Sequence, residues 1–215
     1  MPIEHLLQLV SIAAIPILFA ITLHEAAHAY AAKYFGDMTA FQLGRTSFNP
    51  LHHIDPFGTI VLPLLTLWAF NLPFGWAKPV PVNFANLRHP KKDMLWVAIA
   101  GPASNLVMAL MWAGFYKLAW LFPDNYFASP LLQMAEIGVY INVILLVLNM
   151  LPLPPLDGGR VLVSLLPHRQ AFQLAKIEPY GIWILIALAM TKVLGAVLGP
   201  MVEGVRSLIF MLFGI

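Results

Sequence analysis

Four stretches of this sequence, roughly residues 6–35, 94–121, 131–153 and 179–199, are each apolar over about the 20 residues that a helix needs to cross a hydrocarbon core. A chain of 215 residues cannot hide four such stretches in one water-soluble core, and 10% charged residues is far below the roughly 25% of soluble domains. In lipid each backbone amide must be satisfied within its own segment, so the spans are helices. The expected fold is an all-α polytopic membrane protein of four to six transmembrane helices, forming a single domain over 1–215. Its core is expected at about 5–165, with C-terminal helices at about 178–215.

Thr59–Phe70 is apolar but short, and lies between Pro56-Phe57-Gly58 and Pro73-Phe74-Gly75, which predicts a re-entrant or interfacial element. The tail 200–215 is interrupted by Glu203 and Arg206 and is left open. The prolines around Trp76–Asn83 predict small extended pieces near one membrane face. Lys33, Arg45, Lys78, Arg88, Lys91, Lys92, Arg160, Arg169 and Lys176 fall on one side if Thr59–Phe70 does not cross, whereas loop 122–130 carries Asp124 and no Lys or Arg. The positive-inside rule puts that loop and the N-terminus outside, and the other loops in the cytosol. The scattered basic residues and formal net charge of +2 give no nucleic-acid surface. Glu4 and His5 stand where a secretory signal would be basic, so the first span is expected to be retained. With no cysteine, disulfides, thiolate metal sites and cysteine nucleophiles are excluded, and any metal is left to His, Asp or Glu.

The first span closes on His24-Glu25-Ala26-Ala27-His28 in an alanine-rich run. On a helix, positions i and i+4 lie on one face about 6 Å apart, so both imidazoles can reach one tetrahedral metal with Glu25 beside it as general base. Even counting all ten acidic residues with the seven histidines, random placement gives only about 0.01 such patterns in a chain this long. A catalytic zinc takes three protein ligands and keeps one position open. Asp157, in Leu156-Asp157-Gly158-Gly159 after the third span, is the leading third ligand, and an ordinary turn is the alternative. If the first and third spans both run inward, with one net crossing between them, the three residues reach the same membrane depth.

His24-Glu25-Ala26-Ala27-His28 with Leu156-Asp157-Gly158 resembles the site-2 proteases, the intramembrane zinc metalloproteases of peptidase family M50. Gly36-Asp37, Gly44-Arg45, Asn49-Pro50-Leu51, His53 through Thr59, Trp76 through Asn83 and Ala100-Gly101-Pro102-Ala103-Ser104-Asn105 look like the compact branch without PDZ or CBS domains, so the resemblance runs from about 21 to 165. It implies a zinc metalloendopeptidase holding one Zn2+ on His24, His28 and Asp157, with Glu25 as base. It implies Asn149 near the metal, to hold substrate backbone or the oxyanion, and Asn105 lining the same cleft; read as residues alone, both Asn serve equally as helix-to-helix glue. His52 and His53 are left outside the ligand set, and the Trp76–Asn83 stretch could clamp an unwound substrate by strand addition. The implied partners are a transmembrane protein or peptide substrate and the lipid bilayer of the cell's inner or plasma membrane, with the active site toward the cytosol and homo-oligomerisation open. The rival reading is a membrane metal-binding or metal-transport protein without protease activity, which would place ionisable groups at successive depths.

Overall fold

The structure is a computed structural model that describes residues 3–49, 55–61, 65 and 80–215. Helix α1 runs Ile3–Tyr34, α2 is the single turn Thr39–Gln42, α3 spans Pro90–Leu121 and α4 Ala128–Asn149. The short helices α5 (Asp157–Leu165) and α6 (His168–Ala175) follow, then α7 (Glu178–Met190) and α8 (Val193–Leu212). Pro56–Val61 forms a π-helical turn and Phe84–Asn86 a 3-10 turn, and no strand occurs among the described residues. Four helices are long and apolar enough to cross a membrane: α1 over Ser11–Tyr34, α3, α4 and α8. The α6–α7 pair, bent by 60°, would make a fifth. The chain is a multi-pass integral membrane protein.

The first three spans lie where the apolar runs predict them. The fourth does not: the run 179–199 is broken at Thr191-Lys192, where Lys192 takes the left-handed conformation (φ 60°), and the 20-residue span is Val193–Leu212. Glu203 and Arg206, which made the tail look interrupted, pair with each other, and Arg206 also reaches Glu136 of α4 at 3.4 Å. A charge satisfied against a neighbouring helix costs far less in lipid than an isolated one. Val202 and Ile209 of α8 join Ala109, Ala113, Val139, Val143 and Val147 in the main apolar core. The re-entrant expectation for Thr59–Phe70 falls largely outside the described residues.

The core is built from two stripes spaced by four residues. Ile12, Pro16, Ala20, His24, His28 and Ala32 are buried along α1, and Val97, Gly101, Asn105, Ala109 and Ala113 along α3. Residues at i and i+4 share a helix face, and small residues let the backbones of two membrane helices approach closely. The stripes run antiparallel: His28 bonds the Val97 carbonyl, while Asn105 bonds His24 and the Ala20 carbonyl. Helix α1 ends in a Schellman-type turn, with Asp37 N–H donating to the Ala32 carbonyl and Gly36 at φ 112°, where a side chain would be strained. Arg88 N–H donates to the Phe35 carbonyl, so the chain enters α3 at the same end at which it left α1.

Candidate metal centre

His24 and His28 lie in the last third of α1, about 9 to 15 Å before its C-terminal end at 1.5 Å per residue. Their Nε2 atoms are 3.1 Å apart. Asp157, the first residue of α5, places Oδ2 3.2 Å from His24 Nε2 and 3.3 Å from His28 Nε2. All three side chains are about nine-tenths buried or more. Ligand atoms at roughly 2.0–2.1 Å from a tetrahedral zinc stand about 3.3 Å from one another. The triangle therefore fits a metal of that size.

Hydrogen bonding on the far side of each ring makes the same point chemically. His24 Nδ1 lies 2.6 Å from Asn105 Oδ1, and His28 Nδ1 lies 2.7 Å from the Val97 carbonyl. Both partners are acceptors, so each Nδ1 carries the proton and each neutral ring turns the Nε2 lone pair inward. The Asn105 orientation is fixed in turn, because its Nδ2 donates to the Ala20 carbonyl at 3.2 Å and to Asn142 Oδ1 at 2.9 Å. Asn142 donates to the Gly138 carbonyl at 2.8 Å. Two lone pairs thus face a buried carboxylate oxygen that has no hydrogen-bond donor of its own. Such a set is stable only with positive charge among its members, as a divalent cation or as a proton on one ring.

Two glycines explain how the backbones come this close. A Cβ on Gly101 would fall closer than 3.0 Å to ring atoms of both His24 and His28. A Cβ on Gly158 would meet the Met150 and Leu151 carbonyl oxygens, so the first turn of α5 seats against the preceding loop only without one. That seating brings Asp157 back to α1.

Glu25, half-buried beside the triad, accepts a 2.8 Å hydrogen bond from the Val80 N–H. Asn105 is fully buried behind His24, with its Oδ1 against Nδ1 of that ring. Asn149, at the end of α4, turns its Nδ2 to the Leu145 carbonyl at 3.0 Å. His52 and His53 lie outside the described residues, as do residues 76–79 of the extended stretch. Residue reasoning missed Asn142 and the Val97 carbonyl. A polar Asn142 midway along an apolar span, seven residues before Asn149, was the available signal for the first. A backbone carbonyl leaves no signal at all. Among the described residues, His24, His28 and Asp157 are the one group of His and acidic side chains able to share a metal ion.

Comparison with known proteins agrees with this geometry. The chain is 37% identical over 212 residues to the Bacillus subtilis protein named "Putative zinc metalloprotease YwhC", covering 96% of this chain and 93% of that relative. The family model described as Peptidase family M50 matches residues 117–192, which include Asp157. The chain belongs to peptidase family M50. Proteins named "Putative zinc metalloprotease Rip2" are also similar: that of Mycolicibacterium smegmatis is 33% identical over 178 residues, and that of Mycobacterium tuberculosis strain H37Rv 28% over 183. Both alignments cover 82% of this chain and 66% of the relative. No solved structure matches the chain. As an M50 member the chain is a membrane-embedded zinc metalloprotease, and its three converging side chains offer the metal a place.

Proposed function

We propose that this M50 protease is an intramembrane zinc metalloendopeptidase that cuts membrane-protein substrates within or next to a transmembrane segment. In this reading His24, His28 and Asp157 hold one Zn2+ and Glu25 is the general base. The observation that carries it is the triangle of Nε2, Nε2 and Oδ2 at 3.1–3.3 Å, built on a membrane helix with Glu25 one residue from the first ligand.

Zinc, when bound, supplies a Lewis acid that polarises the scissile carbonyl and makes water a usable nucleophile near neutral pH. Glu25 takes the proton from the attacking water and delivers it to the leaving amine as the C–N bond breaks. Asn105 keeps His24 in the tautomer that presents Nε2, and the Val97 carbonyl does the same for His28. Asn149 is assigned to the substrate backbone or the developing oxyanion. A helical substrate has its carbonyls tied in backbone hydrogen bonds, so it must unwind locally, and Gly, Pro or small polar residues near the cut lower that cost. The N-terminus and loop 122–130 lie outside, and the centre opens toward the cytosol, in accord with the basic residues at the other segment ends.

The test is zinc content and cleavage of a single-span substrate by the detergent-purified protein. Glu25→Gln should keep zinc and lose cleavage by at least about 100-fold, the usual scale for a general base. His24→Ala and Asp157→Ala should lose both. Full zinc in Asp157→Ala would move the third ligand elsewhere, and full cleavage by Glu25→Gln would end the protease assignment of Glu25.

A further inference from the structure

Asp37 is a charged residue with no place in the chemistry above, yet it is completely buried, just past the end of the helix that carries the triad. Its Oδ1 accepts from the Thr39 N–H at 3.0 Å, the Thr39 hydroxyl at 2.5 Å and Asn86 Nδ2 at 3.2 Å. Its Oδ2 accepts from the Asn83 N–H at 2.7 Å. Burial works to raise the carboxyl's pKa, but these hydrogen bonds outweigh it and keep the group below its ordinary value of 3.8. It is therefore an anion at neutral pH. Two of its four donors come from residues 83 and 86, a segment more than 40 positions further along the chain.

That segment also touches the proposed base. Val80 donates its N–H to Glu25 Oε2, and Val80 and Val82 pack on Ala29 and Ala40. Val80 lies between Pro79 and Pro81, neither of which has an N–H, so it is the one amide donor of those three residues. A residue before proline is confined to extended backbone, so Val80 has little freedom to aim its N–H on its own. Its aim is set by what anchors the chain downstream. Glu25 has three rotatable side-chain bonds, and holding Oε2 on a fixed donor leaves Oε1 as the oxygen with a defined direction for proton transfer.

We infer that Asp37 is a positioning residue for Glu25: by clamping Asn83 and Asn86 to the end of α1 it fixes residues 80–86, and through the Val80 N–H it fixes the Glu25 carboxylate. This rests on the reading of Glu25 as the base. The clamp itself is testable without that reading, by amide hydrogen exchange of the 80–87 stretch in the full-length, zinc-loaded protein in detergent. In Asp37→Asn, one acceptor oxygen becomes a donor facing donors, so exchange across 80–87 should rise by about tenfold or more while α4 keeps its protection. Zinc content should match wild type. For cleavage, kcat should fall on the order of 10- to 100-fold, the effect of a misplaced reacting group, with KM changed by less than about threefold.

Thr39→Val grades the effect, since it removes the hydroxyl that donates to Asp37 and accepts from Asn86 Nδ2 at 3.3 Å but leaves both bonds from Asp37 to Asn83 and Asn86. It should raise exchange and lower kcat by clearly smaller factors than Asp37→Asn, and an equal effect would overturn Asp37 as the anchor. If Asp37→Asn does not fold, Asn86→Ala loosens the same clamp from its other end and should move exchange and kcat in the same direction by smaller factors. Unchanged exchange in the folded variants would overturn the clamp. Raised exchange with unchanged kcat would overturn its action on Glu25, as would a loss of activity that merely follows loss of zinc. A Glu25→Gln protein that cleaves normally would instead remove the assignment of Glu25, leaving the exchange result to decide the clamp by itself.

Discussion

His24 has two ring nitrogens with different duties, and Asn105 keeps them apart. Its Oδ1 takes the Nδ1 proton while its Nδ2 is held by the Ala20 carbonyl and Asn142, so the amide cannot flip without setting oxygen against oxygen. Replacing a hydrogen-bond partner of a metal-binding histidine typically costs 10- to 100-fold in metal affinity. Asn105→Leu is therefore expected to weaken zinc binding by about that factor, measured by competition with a chromophoric chelator. Asn142→Leu should act in the same direction but less, since Asn105 keeps its bond to Ala20. Unaltered affinity in Asn105→Leu would show that the tautomer is set by the ion alone.

Helix α5 has nine residues and begins with Asp157. Its N-terminal turn lies on the Met150–Pro154 backbone, and Gly158 and Gly159 are the residues that allow it. Gly158→Ala adds one methyl where backbone carbonyls leave no space, and backbone cannot rotate away as a side chain does. The turn must lift, carrying Asp157 off His24 and His28. We expect this variant to fold, to retain less than about a tenth of wild-type zinc affinity, and to be clearly worse than Gly204→Ala, whose Cβ would meet nothing within 4 Å. Equal affinity in the two glycine variants, by the same chelator competition, would contradict the seating of α5.

At the scale of the molecule, a metal held as proposed would tie α1 to α5, so its binding would be coupled to stability. A ligand present at 100 times its Kd stabilises the folded state by about 2.7 kcal/mol. Chelation should accordingly lower the thermal midpoint of wild type in detergent, and Asp157→Ala should already sit at the lower midpoint and ignore the chelator. Orientation is a second global property. Because the chain has no cysteine, single cysteines at Asn125 and at His168 report sidedness without background. In intact cells an impermeant thiol reagent should label Asn125→Cys and spare His168→Cys, and the reverse pattern would invert the proposed topology.

The sequence by itself determined the class of fold and three of the spans, and it marked the ligands and the base that the proposed centre uses, because apolar length and the His-x-x-x-His spacing are local properties of a helix. Asp157 was legible as a candidate through its place after a span, although a turn remained open until its Oδ2 was found against both imidazoles. Only the tertiary structure decided where the last span begins, since the break at Lys192 and the pairing of Arg206 with Glu136 depend on α4 and α8 packing side by side. It also decided the roles of Asn105, Asn142 and the Val97 carbonyl, and the bridge from Asp37 through Val80 to Glu25. Those bonds join residues 37 to 81 positions apart, and no local pattern records which distant amide or carbonyl will meet a side chain.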